Sequence, residues 1–121
     1  MSDSTKNFFD AWRIEEAELR FTKITGAVTE NIRYDDPRTP STLNGIEALS
    51  NYVGMFSESA PGWSAEVVKS DTIGNVTRAT VAFSGMGPDG VEQVQLGQYF
   101  LEKDGDLICR MVGFVGTGDY K

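Results

Sequence analysis

Apolar positions at the start of the chain keep a helical spacing and then change phase. Between residues 4 and 25 there is no Gly or Pro. Phe8, Ala11 and Trp12 share one helical face, whereas Ile14, Ala17, Leu19, Phe21 and Ile24 fall on another. The change predicts two short helices with a bend near Arg13 to Glu15, capped by Ser2, Asp3 or Ser4 and stopped by Gly26. A short strand over 29–36 follows, and Pro37 biases Asp36 towards extended geometry as the chain enters a loop. Asn44, with Glu47 three residues on, has the spacing of a capping box. The third helix it would open carries Ile46, Leu49, Tyr52, Val53 and Phe56 at helical intervals as far as Ala60-Pro61-Gly62. Beyond that point β-branched and aromatic residues dominate 63–70, 76–86, 91–102 and 107–115. Turn residues such as Gly87-Pro88-Asp89-Gly90 and Lys103-Asp104-Gly105-Asp106 separate them, which predicts an antiparallel meander of four strands.

Helices first and strands afterwards imply a single α+β domain over 1–121, with the helices covering one face of a curved sheet. Such a sheet encloses a concave space, and the inward side chains either fill it or line it. Along 91–102 the set Glu92, Val94, Leu96, Gln98 and Phe100 reads as the inward one. Gln98 would then interrupt an apolar face, where an unpartnered amide costs roughly 1–3 kcal/mol, so it needs a protein partner, a water or a ligand. On the last strand Arg110 is expected outward, with Leu107, Cys109, Met111 and Gly113 turned in.

On the first strand Tyr34 and Asp36 share a face, two residues being about 6.6 Å apart along a strand. A carboxylate therefore points where an aromatic residue points. Two readings of Asp36 stand side by side: a turn residue whose carboxylate accepts backbone N–H groups in the loop, and a general base in a partly apolar surround.

Composition narrows the chemistry. The chain of 121 residues has no histidine, which removes Ser-His-Asp and Cys-His nucleophile systems and His-ligated metals, and leaves acid–base work to carboxylates, tyrosine or lysine. The formal charge of −7 disfavours nucleic acid and anionic membrane surfaces as partners. One cysteine, Cys109, and no apolar leader at the N-terminus suggest a reducing, cytoplasmic setting. No acidic residues show a metal-ligand spacing, so neither metal nor organic cofactor is expected.

Several short motifs occur together: Phe8-Phe9-Asp10-Ala11-Trp12, Tyr34-Asp35-Asp36-Pro37, Asn44-Gly45-Ile46-Glu47-Ala48-Leu49, Pro61-Gly62, and Lys103-Asp104-Gly105-Asp106-Leu107-Ile108 with Gly113-Phe114. In order and spacing the chain resembles the nuclear transport factor 2-like superfamily, within it the SnoaL-like and ketosteroid isomerase-like branch. The resemblance implies a cone, a strongly bent antiparallel sheet wrapped around three helices with a pocket at the open end, and a homodimer formed through the outer sheet face. It also implies that Asp36, the aspartate before proline at the end of the first strand, is the general base. In that branch the oxyanion is held by a first-helix tyrosine and a protonated aspartate on a late strand. Here the first helix offers Phe8 and Trp12, and the strand position falls at or beside Gln98.

The reading that follows is a cofactor-free acid/base enzyme, of isomerase, cyclase or dehydratase type, acting on a small apolar carbonyl compound, with Asp36 as catalytic base and Gln98, with Trp12 or Tyr34, orienting or stabilising the developing oxyanion. Trp12, Tyr34, Phe8 and Tyr52 are expected to line its pocket. Phe56, Leu96, Phe100 and Met111 would complete the lining. The alternative is a non-catalytic ligand-binding or dimerisation module of the same fold.

Overall fold

In the computed structural model, which describes residues 3–116, Asp3 opens the first helix by accepting the backbone N–H of Lys6 on its carboxylate at 3.1 Å. Ser2 lies outside the described residues. Helix α1 (Ser4–Asp10) runs into a 3₁₀ turn (Ala11–Arg13), and α2 (Ala17–Thr25) follows at a new angle. Arg20 holds this bend, donating from its guanidinium to the carbonyls of Ile14 at 2.8 Å and Glu15 at 3.3 Å. It also packs on Gly54, where a Cβ would stand 2.7 Å from the guanidinium. The change of apolar phase at residue 14 thus marks a real break in the helix.

Strand β1 (Val28–Asp35) leads through the loop at Pro37 to a two-residue strand β2 (Leu43–Asn44) and then to α3 (Ile46–Ser59). Asn44 is not the cap of α3. It pairs with Arg33 across the sheet, and Gly45, at φ 92°, caps the helix without a side-chain bond. That conformation is open to glycine at little cost, so backbone geometry makes the start that the capping box was expected to make.

The remaining strands, β3 (Ser64–Ile73), β4 (Val76–Met86), β5 (Glu92–Asp104) and β6 (Leu107–Val115), form the expected antiparallel meander. The sheet as a whole is mixed, in the order β2-β1-β6-β5-β4-β3, because β1 joins β6 in parallel. Helices and curved sheet enclose one core, in which Phe8, Phe9, Ile24, Leu49 and Val53 meet Ile32, Tyr34, Val81, Leu101 and Met111.

Two expectations about strand faces are corrected. On β5 the buried set is Gly97, Tyr99 and Leu101, while Leu96 and Phe100 are 40% and 38% exposed. Gln98, in phase with them, therefore belongs to the outer face and is neither a core amide nor a pocket group. Each alternating set of this strand mixes apolar residues with glutamine, so alternation alone does not choose between them. The space left by two glycines does: Gly113 is the β6 partner of Tyr99, and a Cβ there would lie 2.4 Å from the tyrosine ring. On β6 the register slips between Glu102 and Lys103. Ile108 and Met111 are both buried as a result, and Cys109, expected inward, is partly exposed with its Sγ directed at the Glu102 carbonyl.

Candidate functional site

Asp36 stands where β1 gives way to the loop, and its two carboxylate oxygens do different work. Oδ1 accepts the backbone N–H groups of Arg38 at 2.8 Å and Thr39 at 3.1 Å. Thr39 answers by taking the Asp36 N–H at 3.1 Å and donating to the Asp36 carbonyl at 3.0 Å. This is the turn that Asp before Pro favours. Oδ2 accepts two phenols, Tyr34 from β1 at 2.8 Å and Tyr52 from α3. An ionised carboxylate offers about four lone-pair positions, and this chain fills all four itself.

The phenols are held neutral. Burial drives the Tyr34 hydroxyl well above the usual tyrosine range, and nearby Tyr99 and Asp36 push it further. Tyr52 is raised by burial and by its bond to Asp36. Tyr99 is raised by burial, partly offset by its interaction with Tyr34. On the other face of β1, Asp35 points away from the site, pairs with Arg110 at 2.7 Å and accepts the Thr42 hydroxyl. The alternation of β1 therefore sends Tyr34 and Asp36 inward and Asp35 outward.

Asp36, Tyr52 and Tyr99 border a cavity of about 440 Å³. Its apolar wall includes Trp12, Phe56, Trp63 and Phe83, while Gln95 and the exposed Arg38 add polar groups. Trp12 is at the centre of the aromatic cluster, with ring centroids 5.1 Å from Phe56, 5.6 Å from Phe83 and 6.3 Å from Tyr52. Its indole N–H is buried with no hydrogen-bond partner, so Trp12 gives the wall ring surface and not a donor.

Of the residues singled out from the sequence, Asp36, Trp12, Tyr52, Phe56 and Leu96 border this cavity. Tyr34 is fully buried and reaches the site only through its hydroxyl on Asp36. Phe8 and Met111 are not lining residues, because both are closed inside the core. Gln98 and Phe100 are not lining residues either; of their alternating set on β5, Leu96 alone borders the cavity. The sequence reading missed Tyr99, Phe83, Trp63, Gln95 and Arg38. For Tyr99 a signal existed: glycines at 97 and 113 leave room for a ring.

No protein-family model and no curated protein sequence matches this chain. Solved structures do. One is a SnoaL-like family protein from Agrobacterium tumefaciens described as a candidate isomerase, with a TM-score of 0.79 and 24% identity over 94% of this chain and 95% of that one. The chain has the nuclear transport factor 2-like fold. An NTF2-like protein from Exiguobacterium sp. 255-15 superposes with a TM-score of 0.73 at 15% identity, covering 93% of this chain and 98% of its own. A protein of ketosteroid isomerase-like fold from Catenulispora acidiphila, solved in complex with trimethylamine, has a TM-score of 0.73 at 13% identity, covering 93% and 85%. In this fold the cavity is lined from the 3₁₀ turn, the loop after β1, α3 and strands β4, β5 and β6. Among the described residues no helix is long and apolar enough to cross a membrane.

Proposed function

We propose that this NTF2-like domain binds a small molecule in the cavity beside Asp36 and moves a proton on it without a cofactor. The observation that carries the reading is a carboxylate set in a wall built largely from aromatic and aliphatic side chains. On a small carbonyl compound, the proton beside the carbonyl passes to the Tyr52 oxygen as the phenolic proton moves to Oδ2 of Asp36. The electron pair left on carbon is taken up by the carbonyl oxygen, towards which Gln95 offers its amide N–H. Return of the proton to a different carbon completes an isomerisation. The likeness to a SnoaL-like protein described as a candidate isomerase supports the same class of chemistry.

The test is solvent-deuterium exchange, followed by NMR, at the α-carbon of a small cyclic β,γ-unsaturated ketone. Exchange above the uncatalysed rate, reduced at least about a hundredfold in Asp36→Asn, is the expected result. Equal rates in the two proteins would remove the proton-transfer role.

A binding-only reading has one observation in its favour: every acceptor position of Asp36 is already occupied by the chain. In that case the cavity is a receptor and the carboxylate contributes charge. For a partner we propose a second copy of this chain on the outer sheet face, where Val94 and Phe100 stand exposed beside Leu96 and Phe114, which also border the cavity. Light scattering of the wild type as a dimer, and of Phe100→Lys as a monomer, is the expected outcome. The single, partly exposed thiol of Cys109 suits a reducing, cytoplasmic setting.

A further inference from the structure

We infer that the cavity selects ligands carrying a methylated ammonium group, seated between the Asp36 carboxylate and the aromatic wall. This rests on the cavity being a ligand site and not on the proton-transfer step. Three features point the same way. First, Asp36 forms no salt bridge among the described residues, so its charge is met only by hydrogen-bond donors of the chain. Second, those donors leave no free lone pair on the carboxylate. A primary ammonium or an alcohol would have to displace one of them, whereas a trimethylammonium group has no N–H to place and needs only the field of the charge. Third, Trp12, Tyr52, Phe56, Trp63, Phe83 and Tyr99 all border the cavity, and π systems attract a cation that apolar aliphatic walls would reject.

The phenols reinforce the selection. Tyr34 and Tyr52 both aim their hydrogens at Asp36, so the Tyr52 oxygen keeps its lone pairs for the cavity side. Among the described residues that line the cavity, only Arg38 opposes a cation. It borders the cavity from an exposed position and forms no ion pair among the described residues.

The experiment compares two soluble isosteres, choline and 3,3-dimethylbutan-1-ol, which differ in replacing N⁺ by C, by calorimetric titration of the whole chain. Choline is expected to bind at least about tenfold more tightly, since desolvated cation–π and charge contacts are worth that factor or more. Asp36→Asn should weaken choline and cut the preference by at least about threefold, leaving the share due to the rings, and an unchanged preference would overturn the role given to the carboxylate. Arg38→Gln, at an exposed position whose side chain makes no hydrogen bond among the described residues, should tighten choline about threefold and widen its preference over the alcohol. Equal binding of the two isosteres, or tighter binding of the alcohol, overturns the ammonium selection and leaves the cavity as a ligand site. Binding of neither overturns both. Weaker choline binding in Arg38→Gln would also sink the assignment, because it would make the guanidinium part of the site.

Discussion

Tyr99 on β5 faces Gly113 on β6, and a Cβ at position 113 would stand 2.4 Å from the tyrosine ring. The glycine is thus the counterpart of the aromatic residue, and together they bring a phenol to the cavity wall. Gly113→Ala is expected to cost about 1–3 kcal/mol by overpacking, read as a fall in the denaturant midpoint at unchanged slope. Tyr99→Leu should relieve most of that cost in the double variant. A fully additive double-mutant cycle would show that the two positions are not coupled.

The bond from Tyr34 to Asp36 ties the buried end of β1 to its loop. Tyr34→Phe removes a donor and leaves the ring in place, so a loss of about 1 kcal/mol is expected. Asp36→Ala should cost more, about 1–3 kcal/mol, because the fully buried Tyr34 hydroxyl is then stranded and the Arg38 and Thr39 N–H groups lose their acceptor. Chemical denaturation of the two variants checks the order, and an Asp36→Ala protein as stable as wild type would contradict the bonding described.

Alkaline pH should unfold the domain through its tyrosines. Tyr34, Tyr52 and Tyr99 all have raised values in the folded state, each first by burial. The unfolded chain ionises near the ordinary value of about 10, while the folded one holds its protons. The associated stability is therefore complete below that pH and is lost as pH rises above it. Absorbance at 295 nm should show three of the four tyrosines ionising together with the loss of near-ultraviolet dichroism. Ionisation of all four at the ordinary value with the fold intact would refute this.

The outer-face pair of Asp35 and Arg110 works at the opposite end of the pH scale. The guanidinium's hydrogen bond is the main cause holding the Asp35 carboxyl below the ordinary carboxylate value, helped by Thr42. The contribution is present above the unfolded value of about 3.9 and disappears as pH falls through the lower folded value. Since the pair is partly exposed, Asp35→Asn should cost no more than about 1 kcal/mol at pH 7. The difference between wild type and Asp35→Asn in urea melts should shrink as pH drops to 3. A difference that grew on acidification would contradict the pairing.

Local chemistry determined most of the order along this chain. The bend after Trp12, the Asp36-Pro37 turn, the third helix and the four-strand meander all follow from spacing, glycine and proline, which act over a few residues. The inward turn of Tyr34 and Asp36 followed too, because a strand alternates strictly and β1 has only one face that buries an aromatic residue. Tertiary structure decided what alternation leaves degenerate. On β5 both sets mix apolar residues with glutamine, and the Gly113 gap opposite Tyr99 accommodates the set that enters the core, leaving Gln98 and Phe100 out of it. The slip at Glu102 and Lys103 reset the phase of β6 and moved Cys109 off the inner face, an event with no footprint in hydrophobic periodicity. The meeting of Tyr52 with Asp36 is of the same kind: sixteen residues separate them, and only the packing of α3 against β1 brings the phenol onto the carboxylate.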